Sequence, residues 1–196
     1  MRRYLFLSFL CLVVVQFAGA GDITGKVTLK GVRGKQVTIL YLEKVDSLFK
    51  PPAQSIVMDQ KNLKFEPHVM PVVVGTRVDF LNSDDVLHNV FSPDACAAKF
   101  NLGTWPKGEK RSFTFDKEGC FSVVLCNVHP EMEGWIIVLQ NPFFAAADDQ
   151  GTYRIENIPA GKYTLVAWHE RLKNKSRIVE IPETGETSVD FTLSRR

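Results

Sequence analysis

Phe121-Ser122-Val123-Val124-Leu125-Cys126-Asn127-Val128-His129-Pro130-Glu131-Met132 is the stretch on which the reading of the fold turns. Its first five residues are rich in β-branched and aromatic side chains and read as a strand. A second strand, 135–139, follows Met132 almost at once. One short loop pinned between two strands therefore carries a thiol, an imidazole and a thioether, spaced C-x2-H-x2-M. A second histidine, His88, stands 38 positions upstream in Leu87-His88-Asn89-Val90-Phe91, after the turn Asn82-Ser83-Asp84-Asp85.

Working outward, the same period-2 and β-branched pattern recurs at 23–29, 36–42, 55–58, 69–74, 77–81 and 111–115. Beyond the loop it continues at 152–155, 162–168, 176–181 and 187–193. Gly, Pro, Asn and Asp separate these runs, as turn geometry requires. No long 3.6-residue apolar period is present, and only 94–99 suggests a helical turn. Many short strands with regular turn signals predict an all-β chain built as sandwich or barrel. Organisation is expected as 21–45, two strands around a Gly-rich turn (Gly31, Gly34); 46–54, a linker with Pro51-Pro52; 55–140, holding the metal-type residues; and 141–196, opened by Asn141-Pro142.

The side-chain types at the loop point to one metal. Copper alternates between a soft Cu(I) and a harder Cu(II); a thiolate suits the first, imidazoles suit both, and a weak axial thioether tunes the balance. Zinc competes for Cys and His, but its structural sites are built from Cys, His and carboxylates, which would leave Met132 without a role. His88, Cys126, His129 and Met132 are therefore expected to hold one copper ion.

These residues carry a family resemblance. Phe65-Glu66-Pro67, the run from Val74 to Asn82, His88-Asn89-Val90, Gly119-Cys120-Phe121 and Cys126 to Met132 together resemble a cupredoxin, nearest the plastocyanin and amicyanin kind. The resemblance spans 55–140. It implies a Greek-key sandwich with a type 1 copper at one end, bound by His88 and His129 through Nδ1, by the Cys126 thiolate and axially by Met132. It also implies that Asn89 lies near the sulfur and that Pro130 belongs to an apolar electron-entry patch around His129. Cys96 and Cys120 are extra to such a protein. Cys120 lies six residues before Cys126, about 20 Å away on an extended strand, and is a poor ligand. A Cys96–Cys120 disulfide is the expectation, and two buried free thiols the alternative.

Other polar residues have plainer readings. His68 reads as an edge or packed histidine and His169 as a turn or surface residue. Asp84-Asp85 reads as a solvated turn, and Arg171, Lys173, Lys175 and Arg177 as a solvated hairpin that could also dock an acidic partner.

The ends and flanks set the context. Met1-Arg2-Arg3, an apolar run to Phe17 and Ala18-Gly19-Ala20 describe a secretory leader over 1–20, too short to span a membrane. Removing it takes Arg2 and Arg3 away, so the formal charge falls from +2 to 0, which leaves no charge-based case for nucleic acid or a membrane surface. Cys11 leaves too, and the three remaining cysteines fit one pair and one working thiol. The segments Gly21-Asp22-Ile23-Thr24-Gly25-Lys26-Val27 and Gly151-Thr152-Tyr153-Arg154-Ile155 to Gly161-Lys162-Tyr163 resemble a carboxypeptidase regulatory-like domain, a small transthyretin-like β-sandwich. That resemblance implies one sandwich made from 21–45 and 141–196, with the copper segment inserted in it or lying next to it. The combined layout is similar to exported methylamine-utilisation-like proteins. The function expected is one-electron transfer to or from a redox partner protein, a dehydrogenase or a cytochrome. The alternative is copper binding or delivery in the cell envelope; a surface adhesion role is a third. Four protein ligands leave no open metal position, so an enzyme is not expected.

Overall fold

A computed structural model describes residues 19–33 and 37–195. The leader falls almost wholly outside them, as do Gly34 and the first residue of the strand expected at 36–42. In chain order the strands are β1 (Ala20–Lys30), β2 (Ile39–Leu42), β3 (Ile56–Lys61), β4 (Lys64–Glu66), β5 (Val69–Val73), β6 (Thr76–Asn82), β7 (His88–Phe91), β8 (Asn101–Trp105) and β9 (Lys110–Phe115). They continue as β10 (Phe121–Leu125), β11 (Glu133–Leu139), β12 (Phe144–Ala146), β13 (Thr152–Pro159), β14 (Gly161–Trp168), β15 (Lys175–Ile181), β16 (Glu186–Ser188) and β17 (Phe191–Ser194). One 3-10 turn, Ala95–Ala97, falls inside the stretch expected to be helical.

The strands form four sheets. Sheets β4-β3-β6-β9 and β5-β11-β10-β7-β8 enclose a core of Met58, Phe65, Phe80, Trp105, Phe115 and Ile136, among others. Sheets β12-β2-β14-β15 and β13-β1-β16, with β17 also on β1, enclose a second core that includes Ile23, Leu40, Leu42, Leu165 and Phe191. A third apolar cluster joins the two sandwiches: Val69, Ile137 and Leu139 from one meet Ile39, Tyr41, Val166 and Trp168 from the other. Trp168 stacks on Phe121 at 5.9 Å between ring centroids and meets Trp135 edge-on at 5.6 Å. The molecule is thus four β-layers thick, with apolar filling at each of three interfaces.

The pairing across the chain is long-range. β1 runs antiparallel to β13, with Ile23 opposite Ile155, and parallel to β16 and β17, with Val27 opposite Phe191. β2 pairs with β12 and β14. The segment from β3 to β11 leaves this frame and returns to it at one place. There Gln140 donates to the carbonyls of Val45 (3.1 Å) and Ser47 (2.9 Å) and accepts from the Val45 amide, while Asn141 donates to the Leu42 carbonyl at 2.9 Å. Farther along, His68 bridges the sandwiches: Nδ1 faces the Glu133 carbonyl at 3.0 Å and Nε2 faces Glu170 at 2.9 Å.

The strand expected at 187–193 is two strands, β16 and β17, taken in succession by β1: the ladder breaks at Gly25 and Lys26, where the Lys26 amide donates to Asp190 Oδ1 at 2.7 Å instead of to a backbone carbonyl. Strands β4, β7, β8 and β12 were not among the expected runs. All have only three to five residues. Cys96 and Cys120 are joined by a disulfide, Cα–Cα 5.4 Å, which ties the 3-10 turn to the start of β10.

Candidate metal centre

β7, β10 and β11 bring the loop residues together. Leu125 at the end of β10 lies opposite Phe91 of β7, so Cys126, the next residue, arrives beside the start of β7 at His88. The loop then turns back, with the Met132 amide donating to the His129 carbonyl at 3.0 Å before β11 begins. β11 runs antiparallel to β10, which fixes both ends of the loop to one ladder.

The result is a convergence of three donors. The ligand atoms of His88, Cys126 and His129 lie within 4.8 Å of one another. His88 Nδ1 is 3.9 Å from Cys126 Sγ and 3.1 Å from His129 Nδ1, with the two rings tilted by 67°. Cys126 is buried and outside the disulfide. Met132, almost fully buried, sits in the same core cluster as Cys126 and Phe65. Two imidazole nitrogens and a buried thiol converge as a type 1 copper requires, and they fit one such ion.

Surrounding groups hold the donors. The Asn89 amide points to Cys126 Sγ at 3.4 Å. The Asn89 side chain accepts from the Asn127 amide at 3.3 Å and donates to Asn101 Oδ1 at 2.9 Å and the Gly103 carbonyl at 2.7 Å. Asn89 therefore ties β8 to the ligand loop. On the other side of His88, Nε2 meets Asp84 Oδ2 at 2.9 Å. Asp84 also accepts the amides of Asn62 (2.7 Å) and Leu63 (2.9 Å). Burial works to raise the Asp84 carboxyl, but the Leu63 amide, the His88 contact and the Asn62 amide outweigh it and leave it below the ordinary value. The expected solvated turn thus divides. Asp85 is exposed and pairs with Lys107, whereas Asp84 turns inward, its side chain only 16% exposed.

His88 is wholly buried, while His129 is half-buried next to exposed Pro130. Val86, Leu87 and Val128, each within two residues of a ligand, are exposed, as is Leu63 beside Asp84. Pro130 therefore has apolar company that the sequence reading did not single out. His68 and His169 lie away from the donors. His169, read as a turn or surface residue, is at a turn but 2% exposed, with Nδ1 accepting the Arg171 amide at 3.0 Å.

Comparison with known proteins finds a family match within this part of the chain. Residues 52–139 match the family model for copper binding proteins of the plastocyanin/azurin family. Similar solved structures include a purple cupredoxin from Nitrosopumilus maritimus (24% identity, TM-score 0.39, 43% of this chain and 99% of that one). A reduced amicyanin variant shows 25% identity and TM-score 0.41 over 53% of this chain and 99% of its own. A copper-containing nitrite reductase from Thermus scotoductus shows 26% identity and TM-score 0.40 over 51% of this chain and 25% of its own. No curated protein matches the chain. The family match, taken with the His–Cys–His convergence, identifies residues 52–139 as a cupredoxin domain of the plastocyanin/azurin family, whose cofactor is one type 1 copper.

Proposed function

We propose that the chain is an exported one-electron carrier whose copper is held by His88, Cys126, His129 and Met132. The observation that carries this reading is the convergence of two Nδ1 atoms and a buried free thiol at an apolar end of the domain. When bound, copper supplies a centre that changes oxidation state by one electron. The chain supplies the rest. The β10–β11 ladder limits movement of the ligand loop, Asn89 restrains the sulfur, and burial keeps water from Cys126. The half-buried His129 ring, with Pro130, Val128 and Leu87, forms the face through which a redox partner exchanges the electron. Four protein ligands leave no position for a substrate, so the chain is read as a carrier and not as an enzyme.

In this reading residues 1–20 are a leader, 55–140 are the copper unit, and 21–45 with 141–196 form a carboxypeptidase regulatory-like sandwich that docks or spaces the carrier. The pairing of β1 with β13, β16 and β17 and of β2 with β12 and β14 supports that division. Export is supported by the leader pattern and by the disulfide, which persists in oxidising compartments.

The test is optical and electrochemical. Protein loaded with Cu(II) is expected to show an intense thiolate-to-copper band in the visible and a reversible one-electron wave. Cys126→Ser abolishes the band; Cys120→Ser keeps it, because that sulfur is in the disulfide. A colourless protein that binds only Cu(I) would favour delivery over electron transfer.

A further inference from the structure

The buried side of His88 is closed by one carboxylate. Nε2 lies 2.9 Å from Asp84 Oδ2, and His88 has no exposed surface through which water could replace that contact. A carboxylate at neutral pH only accepts hydrogen bonds, so Nε2 carries the proton and Nδ1 presents a lone pair. That lone pair lies on the side of Cys126 Sγ and His129 Nδ1.

Asp84 is itself held from three directions. The tip of the β3–β4 hairpin, Asn62 and Leu63, has both residues in the left-handed region (φ 54° and 57°), and both amides end on the Asp84 carboxylate. The Asp84 amide donates to Asn82 Oδ1 at 2.9 Å. Asn82, fully buried, donates in turn to the carbonyls of Val86 (2.8 Å) and Trp105 (3.0 Å). The carboxylate cannot drift without breaking contacts in β6, the β3–β4 tip and the 83–87 turn together.

We propose that Asp84 is a positioning residue for His88: it selects the imidazole tautomer and aims Nδ1 at the metal position before any ion arrives. The consequence for metal binding rests on the copper reading above; the tautomer itself does not. An anchor for the hairpin tip alone would need only the two backbone contacts. Here a third N–H, from the ligand, ends on the same group. An amide at this position offers one acceptor oxygen to three donors, and its NH2 must face at least one of them.

The variant to make is Asp84→Asn, with Asp85→Asn as its control, which removes the same charge one residue on from an exposed pair with Lys107. In metal-free protein at neutral pH, long-range proton–nitrogen NMR is expected to show His88 protonated at Nε2 alone. In Asp84→Asn the Nδ1-protonated form appears, and Cu(II) affinity by competition titration falls about 10- to 100-fold. Asp85→Asn leaves both unchanged. The proposal is overturned if Asp84→Asn keeps the wild-type tautomer and the affinity of Asp85→Asn. It is also overturned, even should Asp84→Asn fail to fold, if metal-free wild type already carries the His88 proton on Nδ1. A wild-type protein that binds no copper would sink the copper reading while leaving the NMR result to decide the role of Asp84.

Discussion

Asp79 shows how one buried carboxylate can set the acid limit of the copper domain. On β6, an inner strand of the β4-β3-β6-β9 sheet, it accepts hydrogen bonds from Ser55 (2.8 Å), Ser112 (2.6 Å) and Lys110 (2.5 Å). Burial alone would push its carboxyl up, but the Lys110, Ser112 and Ser55 hydrogen bonds and the Lys110 charge hold it at about 2, against an ordinary 3.8. A folded value below the unfolded one means stability that is fully present above 3.8 and is lost as pH falls through about 2. Denaturation midpoints followed down that window should fall in wild type and change less in Asp79→Asn. At the same scale, the convergence of His88, Cys126 and His129 was legible from the sequence because thiol and imidazole carry metal chemistry in their type. Asp84 was not. An aspartate in an Asn-Ser-Asp-Asp turn is ordinarily solvated, and only the approach of the β3–β4 tip, brought by pairing with β6, turns it inward.

Three strands read as unbroken apolar runs: Ile39-Leu40-Tyr41-Leu42, Trp135-Ile136-Ile137-Val138-Leu139 and Leu165-Val166-Ala167-Trp168. A strand with one wet face alternates; one buried on both faces does not. The structure gives each run two cores. Ile136 and Val138 face the copper-domain core while Ile137 and Leu139 face the joint between sandwiches. Leu40, Leu42, Leu165 and Ala167 face the frame core while Ile39, Tyr41, Val166 and Trp168 face the joint. The face-to-face stacking was therefore present in the sequence as three non-alternating runs. β8 was hidden for the opposite reason: Asn101 and Gly103 dilute it, and it is an edge strand. On β11, Gly134 lies where an added Cβ would come within 2.9 Å of the Phe65 side chain. Gly134→Ala should overpack that contact and cost about 1–3 kcal/mol in urea denaturation.

For the whole molecule, the joint packs the two finished sandwiches against each other through one apolar cluster. Trp168 is 6% exposed and touches Phe121 and Trp135 across it. Trp168→Ala should cost about 3–5 kcal/mol. It should also split a single thermal transition, followed by calorimetry, into two, whereas one unchanged transition would show that the joint contributes little. The crossing at Gln140 and Asn141 has a consequence for synthesis. The copper domain is contiguous, so its sheets can close as soon as β11 has been made. The frame cannot, because β1 must wait for β13, β16 and β17. A chain emerging residue by residue therefore carries a finished copper domain behind two strands, β1 and β2, that still lack their mates. The Gln140 contacts with Val45 and Ser47 hold the two departing ends side by side, so the last and slowest pairing begins from neighbours instead of strangers.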